Sequence, residues 1–486
     1  MNKNIYYKLI NFGLAINLGI YLYSLSKGFN RPFWIDEIHV IGISKDIFDR
    51  SLTEVFGEQL LPPLYFYLVG LINYTTDLKS SIYEDHFYYL RIVNILGFIP
   101  LIYGFKILKE KFKEINLSFV FLLLLSSNIF FYYSIELKMY FIIFCLSFLI
   151  HSIFLVDEEQ NKYKLIFFVS SILLTLCHVF GLTIAMSIIM IQSINNFYYK
   201  KYKKLYFNFF SGISLIVLFA IMFYYATVDP SNLQGFKWVK FQKWYFRVFL
   251  EWTLPTVIII LIMAFFILIN EKLKKIFSFN KNAEINLKTF KILIPSLILV
   301  IVTGLISLKH PIITHRNLIV TFPAGIIFAG LLSIKYLKYK NQNFILILFL
   351  VTISYINLKH YSKNVIFAGE NIRWVVEKSF NKNCENVPIY FGDDGKSKEW
   401  RVMVEYSVDL YADYFRPIKE ITKLNINDLK ENILDNKNCD IHLANFHNRN
   451  FEKKINDLNK SELKFQLLYA PNTLRKSFSK SGVVAV

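Results

Sequence analysis

Cysteine is scarce in this chain and badly spaced for chemistry. The 486 residues contain four, Cys145, Cys177, Cys384 and Cys439. No C-x-x-C pair and no Cys/His spacing suited to zinc occurs, which excludes a zinc-finger or dithiol redox motif. Cys145 and Cys177 lie in apolar runs and read as small core residues. A cleavable leader is not expected either. Its first apolar run, near residues 5–25, is too long, and too poor in small residues at its end, for a signal peptide. It reads as a retained anchor. Internal repeats are absent too, and the polar groups that suggest chemistry lie at one face rather than near mid-membrane. A transporter or flippase would be expected to show repeats and mid-membrane polar groups.

Apolar residues are abundant instead. They make up 54% of the chain, and the mean hydropathy is +0.38. So apolar a composition at this length predicts a polytopic membrane protein. The formal net charge is +19, from 55 Lys and Arg against 36 Asp and Glu. An excess of that sign can mark nucleic-acid binding. Here the lysines cluster in short loops between apolar runs, the pattern of cytoplasmic loops in membrane proteins. Nucleic acid is therefore not an expected partner.

Runs long enough to cross a bilayer lie near 5–25, 88–106, 115–134, 138–156, 163–179, 181–197, 206–226, 252–270, 290–308, 316–335 and 343–359. The basic loops near 106–113, 198–204, 271–291 and 335–340 alternate correctly if all four are cytoplasmic. About 11 spans then place the N-terminus inside and the C-terminus outside. Residues 60–74 would break this parity if they crossed. They are short and begin with Pro62-Pro63, so they read as a juxtamembrane helix on the outer face. Residues 26–87 become one outer loop within a membrane module spanning 1–359.

Polar groups gather on that outer side. Asp36 and Glu37 are adjacent carboxylates between Trp34 and His39, and Glu58 lies further along the loop. Carboxylates beside apolar spans are costly and suggest a site. They also fit a solvated loop or a helix start. Glu136 and Lys138 lie in a short hairpin, His178 ends a span, and Arg316 follows a His-Pro turn. Lys138 and Arg316 also fit snorkelling anchors. Glu136 fits a partner for Lys138, and His178 fits a buried, hydrogen-bonded ring.

These pieces, taken in order, resemble the GT-C glycosyltransferases, and among them the protein O-mannosyltransferase, aminoarabinose-transferase and RgtA/B/C/D-like group. Trp34-Ile35-Asp36-Glu37 is similar to that group's outer-loop Asp-Glu. Leu61-Pro62-Pro63-Leu64-Tyr65 resembles His-Pro-Pro-Leu-Tyr, with Leu61 in place of histidine. Tyr89-Leu90-Arg91-Ile92 resembles Ala-Leu-Arg-Leu, and Tyr133 to Tyr140 resembles Tyr-Ser-Gln-Glu-Ala-Arg-Met-Tyr, with Lys138 for arginine. Cys177-His178-Val179-Phe180-Gly181 resembles Thr-His-Tyr-Phe-Gly, and His315-Arg316-Asn317-Leu318 resembles Pro-Arg-Tyr-Leu.

The resemblance implies a helical GT-C bundle in a bacterial cytoplasmic membrane, with its site on the outer face. It implies transfer of a sugar from a polyprenyl-phosphate donor to a lipid, glycan or protein acceptor, with inversion. Asp36 is then the candidate general base and Glu37 its support. Lys138 and Arg316, with His178, are candidates for the donor phosphate, where negative charge grows as the bond breaks. Lysine keeps the charge but loses the fork geometry of arginine. Glu58, Glu136, Arg91 and His39 are supporting candidates. A divalent metal is the one cofactor to consider, with Glu58 and His178 as candidate ligands. The rival functions are a ligase or polymerase of lipid-linked glycans, a lipid or glycan transporter, and a structural or signalling membrane protein. A ligase or polymerase should show a longer outer loop with several late basic residues.

From residue 360 to 486 hydropathy falls, and a small extracytoplasmic α/β domain is expected. Its predicted helices are 371–380 and 406–415, and its predicted strands 387–392 and 439–444. Outside the cytoplasm, Cys384 and Cys439 are candidates for a disulfide.

Overall fold

The computed structural model describes residues 3–29, 33, 35–57, 63–75, 90–156, 162–228, 256–265, 290–309, 312–314 and 316–336, five strands between 387 and 485, and a few isolated positions. The chain divides into two units. One comprises residues 1–25, 46–70 and 91–361, and the other 26–45, 71–90 and 362–486.

The helices are α1 (Lys3–Phe29), α2 (Ile35–Lys45), α3 (Leu52–Gly57) and α4 (Leu64–Thr75). A 3-10 segment, Ile92–Gly97, runs into α5 (Phe98–Lys111). Then come α6 (Leu117–Leu125), α7 (Asn128–Tyr133), α8 (Tyr140–Val156), α9 (Lys162–Cys177), α10 (Val179–Tyr198) and α11 (Tyr202–Thr227). After these come α12 (Thr256–Phe265), α13 (Ile294–Lys309), a 3-10 turn at Asn317–Thr321 and α14 (Phe322–Tyr336).

Five helical stretches are long and apolar enough to cross a membrane: Ile92–Lys111, Val179–Tyr198, Tyr202–Thr227, Lys291–Lys309 and Asn317–Ile334. Shorter apolar helices include Ile10–Ser26, Tyr140–Val156 and Tyr163–Cys177. The protein is a multi-pass membrane protein. The expected span at 343–359 lies almost wholly outside the described residues.

The expected span 115–134 is not one helix. It breaks at Ser126-Ser127 into α6 and α7. The Ser126 hydroxyl donates to the Leu123 carbonyl at 2.7 Å, and the backbone N–H groups of Ser126 and Ser127 donate back into the α6 turn. The Ser126 hydroxyl and both backbone N–H groups at the break are thus paired locally, which lowers the cost of a buried break.

The first unit is built around α8. A helix apolar on all sides must be covered on all sides, and every residue of α8 except Leu155 is buried. It packs on α5, α9, α10 and α14. Against α5 the fit depends on two glycines seven residues apart. A Cβ on Gly97 would meet Phe141 at 2.9 Å, and one on Gly104 would meet Phe148 at 2.8 Å. Phe141 and Phe148 are themselves seven apart, so the two helices repeat one contact two turns on.

The 3-10 turn at Asn317–Thr321 leaves a carbonyl to satisfy. The 3-10 pattern would pair the Val320 carbonyl with the N–H of residue 323, which is a proline and has none. Ser147 of α8 donates its hydroxyl to that carbonyl at 2.6 Å.

In the second unit the five strands form one mixed sheet, in the order β2-β1-β3-β5-β4. They are β1 (Val387–Phe391), β2 (Ile421–Asn425), β3 (Ile441–Ala444), β4 (Gln466–Tyr469) and β5 (Gly482–Ala485). β1 runs parallel to β2 and β3, whereas β5 is antiparallel to β3 and β4. Pro388 lies before the β1–β3 pairing begins at Ile389. A residue without a ladder donor is tolerated at a strand start. The expected strands 387–392 and 439–444 thus correspond to β1 and β3. The expected helices 371–380 and 406–415 fall outside the described residues, Asp409 apart, as do Cys384 and Cys439.

Candidate active site

The site is best built from the turn between α7 and α8, residues 134–139. The α7 helix ends as the Ser134 hydroxyl folds back onto the Phe131 carbonyl at 2.9 Å. The N–H of Glu136 still reaches the Tyr132 carbonyl at 3.2 Å. The N–H of Lys138 then donates to the Glu136 carbonyl, two residues back, at 2.7 Å. That is a γ-turn, a tight reversal. Glu136 and Lys138 are both buried. Ionised groups are kept in such a place only where the surroundings compensate them.

Asn94, in the 3-10 segment before α5, holds this turn from outside. Its Nδ2 donates to the carbonyl of Glu136 at 2.6 Å, and lies 3.3 Å and 3.4 Å from the carbonyls of Tyr133 and Ser134. Its Oδ1 accepts from the Tyr65 hydroxyl at 3.0 Å. Tyr65 belongs to the first turn of α4, which starts just after Pro63 as the Pro-Pro sequence predicts. Tyr65 and Asn94 are buried. Arg91, three residues before Asn94, is also fully buried.

Aromatic rings and a second turn complete the first unit's polar cluster. The Tyr133 and Tyr140 rings are 5.0 Å apart, and Tyr140 lies 6.4 Å from the His178 ring. The Tyr133 hydroxyl lies in the electrostatic field of Glu136, Arg316, Tyr140 and Tyr132. Arg316 itself is half-buried at the head of the 3-10 turn.

His178 lies in the break between α9 and α10, outside both helices. Its Nδ1 accepts from the Phe180 N–H at 3.1 Å, capping α10. The proton of the neutral ring therefore belongs on Nε2. The ring also hydrogen-bonds the Asn317 side chain. Because Nε2 carries the proton, the Asn317 side-chain oxygen is the atom that accepts from the ring, while Asn317 Nδ2 donates to the Ile312 carbonyl at 2.9 Å. Burial holds the imidazole down to about 4, with the Asn317 bond acting weakly the other way. At neutral pH His178 is an uncharged ring that ties the start of α10 to the turn carrying Arg316. Gly181 permits the break, since a Cβ there would lie 2.6 Å from the Leu174 carbonyl oxygen.

The metal reading does not fit His178. One ring nitrogen accepts from Phe180 and the other carries the proton, so neither offers a lone pair to a cation. Among the described residues no three His, Cys, Asp or Glu side chains gather as a metal site. Glu58, the other candidate ligand, lies outside the described residues.

Asp36, Glu37 and His39 are carried on α2, in the second unit. Glu37 is buried and His39 half-buried. The structure therefore brings Glu136, Lys138, His178 and Arg316 into one neighbourhood, with Arg91 one 3-10 turn from Asn94. Sequence reasoning missed Asn94, Tyr65 and Asn317. The sequence shows Asn94 only as an asparagine between apolar residues, and nothing in it points to the turn that Asn94 holds.

No protein-family model matches the sequence, and no curated relative matches it. Solved structures do. The crystal structure of ArnT from Cupriavidus metallidurans bound to undecaprenyl phosphate matches with a TM-score of 0.55 at 10% identity, covering 98% of this chain and 98% of that one. The apo structure of the same protein matches with a TM-score of 0.55 at 11% identity, covering 98% and 97%. Over 98% of its length this chain is similar in fold to ArnT.

Proposed function

We propose that the protein is an integral-membrane glycosyltransferase. It moves a sugar from a polyprenyl-phosphate donor to a lipid, glycan or protein acceptor on the outer face of a bacterial cytoplasmic membrane, inverting the anomeric centre. The observation that carries this reading is the convergence of Glu136, the Lys138 turn and Arg316 around Tyr133, within a fold shared with a protein whose crystal structure holds undecaprenyl phosphate.

The chemistry is a single displacement. Asp36 removes the proton from the acceptor hydroxyl as that oxygen attacks the anomeric carbon. The bond between that carbon and the phosphate oxygen breaks, and its electron pair leaves with the phosphate. A phosphodiester becomes a phosphomonoester, so negative charge grows on the leaving group. Lys138 and Arg316 favour that state over the ground state by supplying positive charge where it develops. Glu37 supports Asp36 on the same helix. His178, neutral at working pH, keeps the Arg316 turn in place.

The test is transfer from a panel of radiolabelled undecaprenyl-phosphate sugars by membranes expressing wild type or Asp36→Asn. This change keeps the side chain's shape and removes the base. Wild type should label an acceptor. Asp36→Asn, inserted to the same level, should be slower by about 10²-fold or more. Equal rates would remove Asp36 from the role. Transfer from nucleotide sugars alone would overturn the donor class.

A further inference from the structure

We propose that Asn94, backed by Tyr65, is the positioning residue of the phosphate-binding turn, setting where the Lys138 ammonium points. The inference rests on the reading of Lys138 as a ligand of the donor phosphate. Its own basis is a set of hydrogen bonds that no other observation requires.

Three features of the geometry carry it. First, the Glu136 carbonyl is used twice. It accepts the Lys138 N–H at 2.7 Å and the Asn94 Nδ2 at 2.6 Å. The second bond holds the γ-turn at the atom that closes it, and Lys138 is the residue whose N–H closes it. Second, an asparagine amide has two hydrogens. One is committed to the short Glu136 bond, and the other faces the carbonyls of Tyr133 and Ser134 at 3.3 Å and 3.4 Å. The start and middle of the turn are thus held from one point. Third, the amide cannot rotate end for end. The three carbonyl oxygens of the turn can only accept, so Nδ2 must face them, and Oδ1 is left to accept from the Tyr65 hydroxyl at 3.0 Å. All these atoms are buried, where a hydrogen bond is directional and its loss leaves carbonyls unsatisfied.

Packing alone would have been met by an apolar residue of similar size. A residue with one acceptor and two donors, each engaged, instead fixes an orientation. Tyr65 lies in the first turn of α4 and Lys138 precedes α8, so the chain Tyr65–Asn94–Glu136 carbonyl–Lys138 connects these two parts of the first unit. A long lysine side chain acts as a point charge with many rotamers. Fixing its backbone limits the positions the ammonium can reach, as substrate-positioning groups must.

The experiment measures the affinity of undecaprenyl phosphate for the purified full-length protein by native mass spectrometry, with thermal unfolding recorded for each variant. Lys138→Met and Asn94→Ala should each weaken binding by about tenfold. The double variant should bind no more weakly than Lys138→Met alone, because Asn94 acts through Lys138. Asn94→Asp should behave like Asn94→Ala, since a carboxylate gives the carbonyls no N–H. Multiplying effects in the double variant, or wild-type affinity in Asn94→Ala, would overturn the assignment of Asn94 and leave the phosphate reading standing. Wild-type affinity in Lys138→Met would overturn the phosphate reading and this inference with it. If Asn94→Ala does not fold, Tyr65→Phe, which removes one hydroxyl, takes its place. It should weaken binding by about threefold, with the same lack of additivity on Lys138→Met, and an unchanged affinity would overturn the proposal.

Discussion

His178 gives one ring nitrogen to a helix start and the other to a turn, and both bonds suit a neutral ring. The sign of its pH effect follows. Its folded value, about 4, lies below the ordinary 6.5. The unfolded chain therefore binds the extra proton first. Its stabilising contribution is full above about pH 6.5 and falls as pH drops towards 4. His178→Asn keeps a capping oxygen and removes the titration. The unfolding temperature of detergent-solubilised wild type should fall between pH 6.5 and 4.5 more steeply than that of His178→Asn. Identical slopes would show that His178 does not titrate on unfolding. The same residue shows what was legible at this scale. The short motifs around Glu136, Lys138, His178 and Arg316 stood out because each put a polar group at the end of an apolar run. Their meeting around Tyr133 follows from helix packing. Asn94 stayed hidden for a physical reason. Its partners are carbonyl oxygens about 40 residues away, and a backbone carbonyl leaves no mark on the sequence. Burial and its two hydrogen bonds keep His178 an uncharged ring at neutral pH.

Helix packing depends on close approach, and at Gly104 α5 leaves no room for a Cβ against α8. A valine there would drive carbon into Phe148, itself fully buried against Phe105 at a ring separation of 4.9 Å. Overpacking of this kind costs about 1–3 kcal/mol. Gly104→Val should therefore lower the unfolding temperature in detergent. Gly304→Ala, on α13 with nothing within 4 Å of the added Cβ, should not. Equal effects of the two would mean that α5 does not seat on α8 as described. Helix existence was the most legible property, because the apolar runs at 138–156, 181–197, 206–226, 290–308 and 316–335 each gave a helix with ends shifted by a few residues. Internal breaks were less legible. A hydropathy window averages across Ser126-Ser127, two small residues in a long apolar run, of which Ser126 bonds its own helix carbonyl. Strands followed the same logic. The apolar stretches at β1 and β3 could be read, while β2 (Ile421-Thr422-Lys423-Leu424-Asn425) and the four-residue β4 and β5 were too short or too polar to stand out.

For the whole molecule, the decisive quantity is the number of crossings, since the side of every later loop depends on it. The reading that puts the site outside rests on α4 not crossing. α4 has 12 residues, about 18 Å of helix, against a hydrocarbon core of about 30 Å. Only neighbouring spans or a thinned bilayer would let it traverse. The lysines give an independent argument, because with α4 outside every basic loop falls in the cytoplasm. Three exposed positions separate the alternatives: Asp49 between α2 and α3, Lys113 after α5, and Lys203 at the start of α11. Each would be changed to cysteine in a chain whose four cysteines are alanine, then treated with a membrane-impermeant maleimide on intact spheroplasts and on inverted vesicles. Asp49→Cys should react only from outside, and Lys113→Cys and Lys203→Cys only in inverted vesicles. If α4 crossed, the charge pattern would be inverted and all three would react from outside. The Lys138 turn, two helices on from Lys113, would then face the cytoplasm, where an extracytoplasmic acceptor does not reach it. A single labelling pattern therefore decides the topology and whether transfer can occur on the outer face.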